Sequence, residues 1–406
     1  MTQGTVVIVG AGHAGFQVAA SLRQHGFAGR VCLLNDEAHL PYQRPPLSKA
    51  YLKGEGRPDS LMFRPDKFYR DQNIELIADR AVSIDRGART LKLASGSSLD
   101  YWHLVLATGA RNRLLDIPNA SLEDVRYLRT LDESEALRRR IASDRRAVVI
   151  GAGFIGLEFA ATARIKGLDV DVVELGARVM ARAVTAEISE YFHQRHTAAG
   201  IRIHLGVQAT AIEGENGRVT GVSLSDGRHV PADLVVVGVG VLPNVELAGE
   251  AGLPVASGIV VDEQLLTPDP DISAIGDCAL FESRRFGASL RLESVQNATD
   301  QARCVAARLT GDARTYDGLP WFWSDQGDDK LQIAGLTTGY DRVVVRGDAA
   351  QRSFSAFCYR SGMLVGVESI NRASDHVFGR RILALNRSIE PEQAADLSFD
   401  LKAALT

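Results

Sequence analysis

Val6-Val7-Ile8-Val9-Gly10-Ala11-Gly12-His13-Ala14-Gly15 is a short apolar strand that runs directly into a G-x-G-x-x-G turn. In such a turn the first glycine makes the tight bend, the second lets backbone approach a pyrophosphate, and the third lets the next helix pack against the strand. That helix then aims its unsatisfied N–H groups at the phosphates. A second copy, Ala147-Val148-Val149-Ile150-Gly151-Ala152-Gly153-Phe154-Ile155-Gly156, repeats the pattern. One such fingerprint is weak evidence, because glycine turns between strand and helix also serve packing alone. Two in matching context are strong. Their first glycines, Gly10 and Gly151, lie far enough apart for each copy to own a domain. The fold class predicted is therefore α/β, with two Rossmann-like dinucleotide-binding domains holding two nucleotides that exchange electrons.

The chain has 406 residues, more than one core usually serves. Lys and Arg number 46 against 50 Asp and Glu, a net charge of −4, which argues against a nucleic-acid footprint spread over the surface. Apolar residues make up 45%, as in an ordinary globular protein, and no stretch nears the roughly 18 apolar residues of a membrane span. Met1-Thr2-Gln3-Gly4 leads straight into the first strand without the features of a signal peptide, so a cytoplasmic location is expected. Cys32, Cys278, Cys304 and Cys358 stand far apart, with no C-x-x-C or C-x₄-C spacing. They read as buried free thiols; neither a redox pair nor a metal site is expected.

Along the first copy, the strand Arg30 to Leu34 ends at Asn35-Asp36-Glu37. An acid there can accept both ribose hydroxyls of an adenosine, and Asp36 is favoured over Glu37. Pro41-Tyr42-Gln43-Arg44-Pro45-Pro46-Leu47-Ser48-Lys49 is stiffened by its prolines. Arg44 suits a pyrophosphate and Lys49 a redox ring; the alternative is two surface cations. The strand Tyr101 to Ala107 meets the small-residue turn Thr108-Gly109, and Asp233 to Asn244, with its turn at Gly240, mirrors it. Glu174 closes the second strand of the second copy. A carboxylate there bonds a free 2′-hydroxyl and repels a 2′-phosphate, although Arg178 and Arg182 lie near in sequence. Farther on, Gly276-Asp277 ends a strand, and a helix from Asn297 to Leu309 follows Val295. From Pro320 the chain changes character: Leu331 to Gly335, Arg342 to Arg346, Phe354 to Arg360 and Met363 to Val367 read as short antiparallel strands, with Arg380 to Asn386 helical.

Together the two fingerprints, Arg44-Pro45-Pro46-Leu47-Ser48-Lys49, Ala107-Thr108-Gly109, Gly276-Asp277 and Trp321-Phe322-Trp323-Ser324-Asp325-Gln326 resemble the FAD-dependent, NADH-dependent ferredoxin reductases of oxygenase and cytochrome P450 systems. The resemblance implies an FAD domain over 1–109 and 242–319, an NADH domain over 110–241 and a C-terminal α/β interface domain with an antiparallel sheet over 320–406. It places FAD on Ala14, Asp36, Lys49, Val82, Arg129, Asp277 and Val295, and NADH on the second fingerprint and Glu174. Gln296 and Phe154 depart from the pattern, where Pro and Tyr are common. The implied reaction is hydride transfer from NADH to FAD, then single-electron transfers to a [2Fe–2S] ferredoxin feeding a cytochrome P450 or other oxygenase. Lys49 paired with Glu158 would stand at the redox centre, and Trp323 on the route out. The partner expected is an acidic ferredoxin docking transiently, steered by Arg64, Arg303 and Lys330, on a monomer or weak dimer. A disulfide reductase requires the paired cysteines absent here, and an NADH oxidase or peroxidase a reactive cysteine near the flavin, whereas none of the four lies in the loop after the first βαβ unit; a nucleotide-sensing scaffold is the non-enzymatic rival.

Overall fold

The computed structural model describes residues 4–405, so the reading of Met1–Gln3 falls outside the described residues. The chain divides into two compact units. One comprises the described residues up to Arg44 with Pro58–Arg111 and Val241–Gly318; the other comprises Pro45–Arg57, Asn112–Gly240 and the described residues from Leu319 onward.

In the first unit, Val6–Val9 lies at the centre of a five-stranded parallel sheet, between Val31–Leu34 and His103–Leu106, with Ile74–Ile77 and Ile272–Ala274 at the edges. All four central residues are buried, which is why the strand shows no polar alternation. In the second unit, Arg146–Ile150 is central between Asp169–Glu174 and Leu234–Val237, flanked by Arg202–Leu205 and Val125–Arg126. The duplication is thus one of topology as well as sequence. Parallel register sets Val9 opposite both Leu34 and Leu106, and Ile150 opposite both Val173 and Val237. Each glycine turn, each acidic strand end and each small-residue turn therefore leaves the same edge of its sheet, the carboxyl edge where such folds bind ligands.

The C-terminal residues form a five-stranded antiparallel sheet in the order Trp321–Gln326, Asp329–Gly335, Met363–Ile370, Ser353–Arg360, Arg342–Asp348. Four of these strands are expected from the sequence, and Trp321–Gln326 is a fifth that its pattern does not predict. The helix that follows spans Ala373–Ala384, starting earlier than the expected Arg380 to Asn386. Ser374, Asp375 and Gly379 are poor helix formers that masked its start. Gly379 is required by packing, because a Cβ there would lie 2.8 Å from a methyl of Val367.

This sheet is pinned to the helix Ala186–Ala198 through a buried carboxylate. Thr185 caps that helix, and its backbone N–H and hydroxyl both donate to Glu368, the hydroxyl at 2.7 Å. Burial pushes the Glu368 pKa up to about 7 against the opposing pull of Thr185, with Glu187 adding to the rise. Between pH 4.5 and 7 the folded chain then retains a proton that the unfolded chain has released, so stability falls as pH climbs through that window. Glu368→Gln should match the wild type in unfolding free energy, measured by denaturant, near pH 5 and exceed it near pH 8, by up to roughly 3 kcal/mol. Equal pH dependence in the two proteins would remove Glu368 as the source.

Candidate functional site

Both fingerprints adopt the same strained geometry. Gly10 and Gly151 hold φ of +101° and +103°, which side chains rarely tolerate. A Cβ on Gly15 would collide with the Gly10 carbonyl, and one on Gly156 with the Gly151 carbonyl, so each third glycine is imposed by backbone contact. The middle glycines differ. Nothing lies within 4 Å of a Cβ built on Gly12, and for Gly153 the nearest atom is the Gly238 carbonyl at 4.0 Å. They keep open the face in front of a helix N-terminus.

Those N-termini are bare. The helices His13–Gln24 and Phe154–Ile165 start at Gly12 and Gly153 with no capping side chain and no acid in the first turn. Every other α-helix among the described residues has a capping hydroxyl or a first-turn acid. Two sets of backbone N–H donors and two dipole ends thus have no capping side chain of their own, and this is the donor chemistry a pyrophosphate satisfies.

Around the first fingerprint, Gly276 at φ +77° puts its α-carbon so near Ala14 that an added Cβ would stand 3.2 Å from the Ala14 methyl. The Gly276 N–H donates to buried Gln301 on the helix Val295–Leu309 (2.7 Å), so Ala14, Asp277 and the helix opened by Val295 are held together. Asp36 is exposed, whereas Glu37 accepts from Tyr42 and Arg44, each at 2.5 Å. Arg44 was expected on a pyrophosphate and is found paired with Glu37. Burial works against its charge, but Tyr42, Glu37 and Asp277 together push its pKa up. The Thr108-Gly109 turn is tied to Asn244, a residue the sequence reading passed over: Thr108 Oγ1 donates to the Asn244 carbonyl (2.7 Å), and Asn244 Nδ2 returns a bond to the Thr108 carbonyl (2.8 Å). Val82 is exposed on the strand Ala81–Asp85.

Around the second fingerprint, Glu174 accepts from the N–H groups of Ala152 and Gly176, both at 2.7 Å, so its carboxylate is fixed at the glycine turn. Arg178 is committed to the carbonyls of Ala181, Val184 and Thr185. Gly240 takes φ +99°. Phe154 stands with its ring 4.7 Å from that of Phe322, and Ile155 is exposed. Lys49 and Arg129, assigned with Ala14 and Asp277 to one cofactor, belong to this second unit. The Arg129 N–H donates to Glu133, within the capping box of the helix Leu131–Ser143.

The pairing expected of Lys49 and Glu158 is present, with Nζ 2.7 Å from Oε2. Glu158 is buried and takes two further donors that sequence reading missed: Ser48 Oγ on Oε2 and Ser324 Oγ on Oε1, the latter at 2.5 Å. Ser48 closes the 3₁₀ turn Pro45–Ser48, which is how the proline-rich run stiffens into a support for Lys49. Trp321 and Trp323 share a face of their strand, ring centroids 5.7 Å apart, with His376 and the Arg380 guanidinium against Trp321. Arg64 and Lys330 are exposed, and exposed Arg303 pairs with Asp300. Among the described residues no helix is long and apolar enough to cross a membrane, and no group of three or more His, Cys, Asp or Glu could hold a metal ion.

Comparison with known proteins matches residues 4–302 to the pyridine nucleotide-disulphide oxidoreductase family model and 321–405 to the reductase C-terminal model. The chain is 52% identical to rhodocoxin reductase of Rhodococcus erythropolis over 402 residues, 99% of this chain and 94% of the relative. Among solved structures it resembles the ferredoxin reductase for the CYP199A2 system from Rhodopseudomonas palustris, with 73% identity, TM-score 0.98 and coverage of 99% and 100%. It also resembles the covalent putidaredoxin reductase–putidaredoxin complex, with 41% identity, TM-score 0.97 and coverage of 100% and 99%.

The glycine geometry separates folding from binding. Gly156→Ala should lower the melting temperature by several degrees or prevent folding, whereas Gly153→Ala should melt like the wild type and lose at least tenfold in affinity for a dinucleotide. Thermal unfolding and calorimetric titration check the pair, and equal binding by Gly153→Ala and wild type would contradict the reading of that face.

Proposed function

The chain belongs to the pyridine nucleotide-disulphide oxidoreductase family, and on that premise we propose that it is an FAD-dependent NADH:ferredoxin oxidoreductase. It supplies electrons to a [2Fe–2S] ferredoxin that serves a cytochrome P450 or another oxygenase. The observation that carries the reading is the pair of bare, glycine-turned helix N-termini in one chain. The family name includes disulphide chemistry, but all four cysteines here are free and buried. Burial raises the pKa of each, that of Cys32 to about 11, so no activated thiolate is offered.

Bound FAD would accept a hydride from NADH and release electrons one at a time. The protein's share is position and electrostatics. The N–H groups after Gly10 and Gly12 hold the pyrophosphate of FAD, Asp36 its adenosine ribose and Asp277 a sugar-chain hydroxyl; Val82, Thr108, Gly109, Arg129 and Val295 complete its surroundings. The second fingerprint and Gly240 cradle NADH. Glu174, locked by Ala152 and Gly176, receives the ribose hydroxyls and repels a 2′-phosphate. Arg178 directs its guanidinium N–H groups to the carbonyls of Ala181, Val184 and Thr185, which draws them away from a 2′-phosphate and favours NADH over NADPH. Phe154 stacks against the isoalloxazine face. Lys49, oriented by Glu158, stands at the redox centre, where Glu158 also holds the carboxamide.

On the output side, Trp323 shields the redox centre and lines the route to the docked cluster. Arg64, Arg303 and Lys330 steer an acidic ferredoxin, so association slows as ionic strength rises. The covalent complex of a relative with putidaredoxin supports a ferredoxin partner. The division into FAD, NADH and C-terminal domains, a cytoplasmic location and a monomer or weak dimer belong to the same proposal.

The test is Trp323→Ala, with stopped-flow flavin reduction by NADH measured beside ferredoxin-dependent cytochrome c reduction. The second rate should fall about tenfold and the first less than twofold. Equal losses would mean that Trp323 only holds the pocket together, and no ferredoxin-dependent rate in the wild type would sink the proposed function.

A further inference from the structure

The strand Trp321–Gln326 presents alternate residues to opposite faces. Phe322, Ser324 and Gln326 share the face that meets the helix Phe154–Ile165. The Phe322 ring touches that of Phe154, Ser324 Oγ donates to Glu158, and Gln326 Nε2 donates to both Ser324 Oγ (2.9 Å) and the Phe154 carbonyl (3.1 Å). Phe154 and Glu158 are one helical turn apart. All three strand residues therefore grip the same turn.

The bonds run one way. A carbonyl only accepts, so the amide nitrogen of Gln326 must face Phe154 and its oxygen must face His196 Nε2, at 3.2 Å. Burial lowers the His196 pKa to about 4, leaving a neutral ring at pH 7 with its one proton on Nε2, pointed at Gln326. Ser324 accepts from Gln326 and so spends its own proton on Glu158. His196, Gln326, Ser324 and Glu158 are all buried. With Ser48 and Lys49 on the other oxygen, Glu158 is met by donors on both sides.

We infer that Gln326 is a positioning residue for Glu158, acting through the Ser324 hydroxyl. By fixing the Ser324 rotor it keeps a donor on Oε1, and the aim of the carboxylate toward Lys49 depends on that donor. A buried acceptor that loses its donor turns toward another partner, and the ion pair turns with it. The inference rests on the reading that Lys49 and Glu158 serve hydride transfer.

Gln326→Met keeps the length of the side chain and removes its donor and acceptor; Ser324→Ala removes the link. Each should slow flavin reduction about tenfold, a loss that saturating NADH does not restore, and the double variant should be no slower than the slower single. Independently of turnover, amide exchange at Leu157–Phe159, read by mass spectrometry, should quicken in Gln326→Met. If Gln326→Met does not fold, Gln326→Leu, which also lacks the donors, is read the same way. A wild-type rate, losses that multiply in the double variant, or unchanged exchange would overturn the inference. If NADH fails to reduce wild-type flavin, the parent reading falls instead, and the exchange result still decides the clamp.

Discussion

An α-helix leaves its first N–H groups without partners, and a chain that buries such an end must give it something to hold. Here two helix starts are stripped of every local solution by glycine: Gly12 and Gly153 have no side chain to cap with, and neither first turn bears an acid. The strain is specific. Positive φ at Gly10 and Gly151, and carbonyls that exclude any Cβ at Gly15 and Gly156, can be met by glycine alone. Two such ends on the carboxyl edges of two parallel sheets account for the class of ligand, and the remainder of the chain adjusts what the ligands do.

The second determinant is the buried Glu158. Removing a carboxylate from water costs several kcal/mol unless charge and hydrogen bonds compensate, and breaking one side of such a pair costs about 3–5 kcal/mol. Lys49, Ser48 and Ser324 supply the compensation, from a 3₁₀ turn, and from a strand far along the chain. The same need for donors explains why the run Trp-Ser-Asp-Gln opens the C-terminal sheet: its serine and glutamine complete a network whose acceptor lies on the second fingerprint helix.

The legible parts of the sequence were those with local causes. Both fingerprints follow from turn geometry and strand length, and the structure sets each between a buried parallel strand and a helix; the Lys49–Glu158 pair, expected alongside the resemblance and not from any local signal, is also present. The less legible parts depend on distant partners. Asn244 has no motif of its own, yet it binds the Thr108-Gly109 turn on both sides. Arg44 looked free for an anion because its partner, Glu37, had been set aside in favour of Asp36. The helix Ala373–Ala384 hid behind Gly379, whose missing Cβ matters only once Val367 is beneath it. Glu368 gave no signal at all, since its role is to meet Thr185 across a long stretch of chain.

The central claim is that one chain holds two different dinucleotides at once, each on its own glycine-turned helix. The most direct test is stoichiometry. Purified protein should release one FAD per chain on denaturation, and the intact flavoprotein should bind one NAD⁺ per chain by calorimetry with its flavin spectrum retained. Displacement of FAD by NAD⁺, or no binding of NAD⁺ to the flavin-loaded protein, would contradict it.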